Sequence, residues 1–134
     1  MNETNTKKDN ALSALRMEHI VFNKLIFERK DFGHPDSDIQ FQARKNIEKM
    51  EDSVYLVTLN IIAEKKDEYT AEVDISGYCT IAEDHPAKRT LLEKNAVAIL
   101  FPYARTQLTL LTSQPETMPI VLPAVNINKM FEEK

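Results

Sequence analysis

Glycine is almost missing from this chain, with two in 134 residues, Gly33 and Gly77. Only glycine takes positive φ without steric cost, and both tight primed hairpin turns and phosphate-cradling loops depend on it. The two glycines lie too far apart to build a dinucleotide-binding or P-loop, so that chemistry has no foothold. The single cysteine, Cys79, excludes an intramolecular disulfide framework and fits a reducing compartment. No apolar run approaches bilayer-spanning length, and Met1–Thr6 lacks the hydrophobic centre of a signal peptide. The expectation is a soluble, cytoplasmic protein without membrane insertion. A concentrated basic surface is missing too: 17 basic and 21 acidic residues give a formal charge of −4. That composition argues against nucleic acid as a partner, because phosphate neutralisation needs clustered cations. The one basic pair, Lys7-Lys8, lies in a polar leader and reads as solvated.

What is present falls into two halves. Residues 1–10 read as a disordered polar leader, and 11–134 as one domain long enough to bury a core. His19–Glu28 is rich in β-branched and aromatic residues and predicts a strand. After the turn cluster Phe32–Ser37, Asp38–Ile47 alternates, with Ile39, Phe41, Ala43 and Ile47 on one face. Val54–Ala63 predicts a third strand. A turn at Lys65–Glu68 leads to the cleanest alternation in the chain, with Tyr69, Ala71, Val73, Ile75, Gly77, Cys79 and Ile81 on one face. Period-two patterning of that length marks an antiparallel strand buried on one side.

The pattern changes at Asp84-His85-Pro86. Asp84 is placed to cap a helix and Pro86 to occupy its first turn. Leu92, Ala96, Ile99, Leu100, Tyr103, Leu108 and Leu111 then recur at helical spacing. Pro102 must kink that helix or begin a second, since it removes a hydrogen bond and clashes with the preceding turn. Pro115, Pro119 and Pro123 hold the next apolar segment extended. Asn126 is placed to cap a last short helix bearing Ile127, Met130 and Phe131. Strands followed by helices, without β–α alternation, give an α+β fold. In sum the pattern is a four-stranded antiparallel sheet, a proline-broken long helix and a short C-terminal helix.

No catalytic constellation emerges. His19, His34 and His85 are scattered, Cys79 has no partner cysteine and sits in the apolar register of its strand, and no carboxylate is flanked by apolar residues in a way that suggests a raised pKa and acid–base work. The expectation is a protein that is not an enzyme and needs neither metal nor cofactor. Arg105 calls for a structural partner, such as Glu93 or an acid across a subunit contact, and Tyr103 reads as a packing residue at a helix or subunit contact.

The run Ile99-Leu100-Phe101-Pro102-Tyr103-Ala104-Arg105, followed by Leu122-Pro123-Ala124-Val125-Asn126 and a short amphipathic helix, resembles the SecB family of protein-export chaperones. The heptapeptide is intact. The downstream pattern is matched with its proline shifted and Ile127 in place of an aromatic. The likeness covers roughly Leu15 to Phe131. It implies a homotetramer, a dimer of dimers, that holds unfolded polypeptide clients in hydrophobic grooves without nucleotide or metal and passes preproteins to the SecA motor. Carried onto this sequence, the groove residues are Ile39, Phe41 and Ala43 on a strand with Met118, Ile120 and Leu122 on the proline-bounded segment. The motor-contact residues are Glu28, Glu72 and Asp74, and the oligomer interface residues are Leu100, Tyr103, Arg105 and Leu108. Lys24 stands where the family has an acid and Thr70 where it has an apolar residue, and the sequence closes at Lys134, short of the family's acidic tail. Such departures suit the relatives that serve toxin–antitoxin systems, whose client is an antitoxin. A plain interaction or scaffold protein using the same fold is the outside alternative.

Overall fold

A computed structural model describes residues 14–124 and 127–132. Four strands, β1 (Arg16–Arg29), β2 (Ile39–Glu51), β3 (Val54–Lys65) and β4 (Tyr69–Thr80), form one antiparallel sheet in the order β1-β4-β3-β2. β2, β3 and β4 follow one another through tight turns, and the crossover 30–38 carries the chain from one sheet edge to the other, a Greek-key order. With glycine unavailable, the two hairpin turns place Ser53 (φ 66°) and Asp67 (φ 65°) in the left-handed region. Aspartate tolerates it because its short polar side chain bonds locally.

Alternation sorts the sheet into two faces. Tyr55, Val57, Leu59, Ile61 and Ala63 of β3 stand opposite Cys79, Gly77, Ile75, Val73 and Ala71 of β4, and all form the core. β1 is longer than the sequence suggests and reads poorly as an alternating strand, for a physical reason. Register shifts at Met17/His19 and Phe22/Lys24 insert two bulges, which move the core-facing set to Met17, Ile20, Phe22, Leu25 and Phe27.

The helical half begins later than expected. α1 (Lys88–Thr90) starts behind Ala87, which makes no side-chain cap, so Asp84 does not cap it. A π turn, Leu91–Asn95, joins α1 to α2 (Ala96–Leu111), with the Ala96 N–H bonded to the Leu91 carbonyl. Pro102 lies inside α2, which continues through it and does not break into two helices. Its ring faces outward, and Leu92, Ala96, Val97, Leu100, Phe101, Ala104 and Leu108 bury the opposite stripe. That stripe packs on β4, β3 and β1. Gly77 makes the approach possible, since a Cβ there would overlap the Met17 side chain and stand 3.1 Å from Leu100 Cδ2.

Beyond α2 the chain runs back without helix or strand as a proline-punctuated strap, 113–124, to α3 (Asn128–Glu132), which reaches β2. Ile127 is buried, while the leader 1–10 and the cap assigned to Asn126 lie outside the described residues.

Candidate functional site

Two hydroxyls fix the strap against α2. Thr112 Oγ1 donates to the Leu108 carbonyl at 2.9 Å and accepts the Ile120 N–H at 2.9 Å, and Thr109 Oγ1 donates to the Ile120 carbonyl at 2.7 Å. Ile120 is thereby drawn into the core at 6 % exposure, with Leu122 packed half-buried beside it. Met118 and Val121 point away, at 77 % and 74 % exposure. A cavity of about 490 Å³ opens between strap and helix, walled by Arg105, Thr106, Leu110, Val121 and Leu122.

At the sheet edge, α2 leaves β2 less covered than its neighbours. Ile39 and Phe41 are 39 % and 37 % exposed, whereas their β3 partners Lys65 and Ala63 are 5 % and 0 % exposed. Ala43 is buried. Of the groove residues read from the sequence, Ala43 and Ile120 are therefore corrected to core, while Ile39, Phe41, Met118 and Leu122 retain accessible surface. They do not line one cleft: Leu122 faces α2, and Phe41 lines a separate cavity with Gln40, Gln42, Ile62 and Glu64.

The crossover between these regions is tied down. Glu68 accepts the His34 N–H at 2.7 Å and pairs with Lys65 at 3.1 Å, both side chains being almost fully buried. The His34 N–H first, then Lys65, hold the Glu68 carboxyl below its ordinary range. The Glu68 carbonyl accepts from the N–H groups of Lys30 and Asp31. Arg29 donates to Thr117 Oγ1, fastening the strap to β1. Asp31 is also held low, by the Phe32 N–H and His34. Phe32 stands 57 % exposed on the crossover.

The open face of the sheet carries the acidic candidates. Register places Lys24, Asp74, Asn60 and Arg44 in one row across it, Ile26, Glu72, Ile62 and Gln42 in the next, and Glu28 opposite Thr70 beyond. Glu72 and Asp74 are engaged. Asn60 Nδ2 donates to both Glu72 and Asp74 at 2.8 Å, Asn23 Nδ2 donates to Asp74 at 2.8 Å from the β1 bulge, and Lys24 pairs with Glu72 at 3.8 Å. Sequence reading missed the amides, because a bulge that re-aims Asn23 leaves no period-two signature.

On the helix, Leu100 and Leu108 are fully buried under their own chain, a correction to their assignment at an oligomer interface. The helix has two apolar stripes, and the outer one is Ile99, Tyr103 and Leu110 at 39, 49 and 58 % exposure. Glu93 pairs with Arg89 at 3.3 Å rather than with Arg105, which lines the strap cavity. Cys79 is fully buried, its thiol pushed up to about 11 by burial.

A four-stranded antiparallel sheet, covered on one face by a proline-containing helix and a proline-rich strap, with apolar side chains left open along edge strand and strap, has the form of a SecB-like chaperone. The chain belongs to the SecB family, whose model, described as preprotein translocase subunit SecB, matches residues 10–134. Among curated proteins it is similar to the uncharacterized protein MJ0357 of Methanocaldococcus jannaschii, 25 % identical over 128 residues, covering 88 % of this chain and 83 % of that one. Among solved structures it is similar to the Mycobacterium tuberculosis Rv1957 SecB-like chaperone in complex with a ChAD peptide from the Rv1956 HigA1 antitoxin. That likeness has a TM-score of 0.70 at 12 % identity, covering 87 % of this chain and 91 % of the other, and is a likeness of fold.

Proposed function

We propose that the chain is an ATP-independent holdase that keeps unfolded polypeptides from aggregating, with Ile39, Phe41, Met118 and Leu122 as client-contacting side chains and Phe32 and Val121 beside them. The observation that carries this reading is exposure. Met118 and Val121 stand 77 % and 74 % exposed on a strap that hydroxyls and Arg29 hold in place, so their apolar surface stays presented to solvent. Unfolded chains display apolar side chains, and burying them against such a surface needs little sequence preference. The purified protein should suppress aggregation of a chemically denatured test protein without ATP, and Phe41→Glu with Met118→Glu should abolish the suppression. No suppression by the unsubstituted protein in stoichiometric excess refutes the reading.

Two destinations for the client are proposed. In export, preproteins pass to SecA through Glu28, Glu72 and Asp74. In a toxin–antitoxin system the client is an antitoxin, a reading supported by the peptide bound to the mycobacterial neighbour and by Lys24, which pairs with Glu72 on the face that SecA would meet. Calorimetry with SecA separates them: heat of binding that Glu72→Lys removes supports export, and none supports the antitoxin role. Assembly as a homotetramer accompanies both readings.

A further inference from the structure

Midway along β2, beside the π turn, a cavity of about 500 Å³ is lined by Lys45, Ile47, Tyr55, Lys88, Arg89 and Leu92, with Glu93 its sole carboxylate. Its apolar floor is Leu92, 4 % exposed, and half-buried Ile47. Three cations and one acid surround that floor in a protein whose formal charge is −4, so the local sign opposes the global one.

The cations differ in how far their charge is already met. Lys88 Nζ lies 3.2 Å from Glu83 and 3.1 Å from the Tyr55 hydroxyl, and Glu83 also receives Lys49 at 2.9 Å. Arg89 pairs with Glu93 but its side chain is 88 % exposed, so that pair is weak. Lys45 has no carboxylate within ion-pair distance among the described residues. Its ammonium donates to the Glu93 carbonyl at 3.1 Å and lies 4.8 Å from the Phe131 ring centroid, two neutral partners. Relative to the described residues, an incoming carboxylate would add the first anion within ion-pair distance of Lys45, beside apolar surface that strengthens the attraction.

We propose that this cavity receives an acidic side chain of a bound client together with a neighbouring large apolar one, so that the chaperone favours client segments in which Asp or Glu follows Leu, Ile or Phe. The proposal rests on the holdase reading and adds a charge preference to it. Lys45 and Arg89 take the carboxylate, and Ile47 and Leu92 take the apolar group.

Fluorescence anisotropy with two labelled peptides of equal length, one alternating Leu with Asp and the other Leu with Asn, tests it. The acidic peptide should bind about tenfold more tightly, as a charge-assisted hydrogen bond gained over a neutral one implies. The gap should shrink as salt is added. Lys45→Gln should narrow it, and Arg89→Glu, at an exposed position, should narrow it without disturbing the fold. Equal binding of both peptides overturns the charge preference and leaves the holdase reading standing. Displacement of the acidic peptide by an equal concentration of glutarate also overturns it, because the site would then serve free small carboxylates. If neither peptide binds and denatured protein is not held, the holdase reading fails first and the preference falls with it.

Discussion

Glu83 is about one-third exposed, yet three donors converge on it: the Tyr55 hydroxyl, Lys49 at 2.9 Å and Lys88 at 3.2 Å. The Tyr55 hydrogen bond first, then Lys49 and Lys88, hold its carboxyl at about 2 against an ordinary 4.5. A carboxyl whose folded value is depressed contributes stability above its unfolded value and loses it as pH falls through the folded one. The contribution is therefore full above 4.5 and fades between 4.5 and about 2. Glu83→Gln should lower the urea midpoint at neutral pH, and the gap to the unsubstituted protein should close across that window. A gap independent of pH would mean that Glu83 acts through packing alone. Gly77 sets the opposite kind of constraint, steric rather than electrostatic. Gly77→Ala places a methyl against Met17, whose thioether can swing aside, and 3.1 Å from Leu100 Cδ2, which the helix holds. Overpacking of this kind costs ~1–3 kcal/mol. Chemical denaturation should show a loss in that range, and Met17→Ala in the same background should recover only the part due to Met17.

At the scale of elements, the strap depends on one buried hydroxyl more than on its prolines. Thr112 is fully buried and bridges the Leu108 carbonyl to the Ile120 N–H. Thr112→Val keeps the shape but leaves that N–H without its acceptor, a cost of ~1–3 kcal/mol for a buried donor. Hydrogen exchange at the Ile120 amide should accelerate while exchange in β3 and β4 stays slow. Unchanged exchange would show that apolar packing alone seats the strap. The same threonine illustrates what was legible in the sequence. β4 announces itself by strict alternation, because it is buried on one face and wet on the other, whereas β3 is legible through its apolar and β-branched run, with Tyr55, Val57, Leu59 and Ile61 on the more apolar face. β1 shows no such alternation, since its bulges shift parity twice. The π turn leaves no period of its own, and Asp84 looked like a cap only because Pro86 follows it. Pro102 looked like a break, yet an outward-facing ring with Leu100, Phe101 and Ala104 anchored on the sheet lets tertiary packing outweigh the lost hydrogen bond. The apolar residues of the site were legible as apolar, but not their division: Ala43 and Ile120 look like Phe41 and Leu122 until the neighbours that cover them are in place.

For the whole molecule, that division decides what remains for association. The inner helix stripe is consumed by the chain's own sheet, so Leu100 and Leu108 have no surface to offer a second copy. The outer stripe, Ile99, Tyr103 and Leu110, recurs at spacings of four and seven and so lies along one side of α2. Tyr103 also lines, with Phe22 and Pro102, a mostly apolar cavity of about 270 Å³ between the helix and β1. β1 adds Leu25, 43 % exposed on the helix side of a sheet-edge strand, while Val21 and Ile26, opposite Ser76 and Glu72, stand on the open face. An exposed apolar helix stripe beside an edge strand is a candidate contact surface, since edge strands are natural templates for pairing. Client contacts, by contrast, are proposed on β2 at the far edge of the sheet and on the strap. Tyr103→Asp with Leu110→Asp should therefore lower the mass seen by light scattering at micromolar concentration, and Phe41→Glu should leave that mass unchanged while weakening client holding. If Phe41→Glu dissociates the assembly and the helix variants do not, then the β2 edge is the subunit contact and the assignment of the two edges must be exchanged.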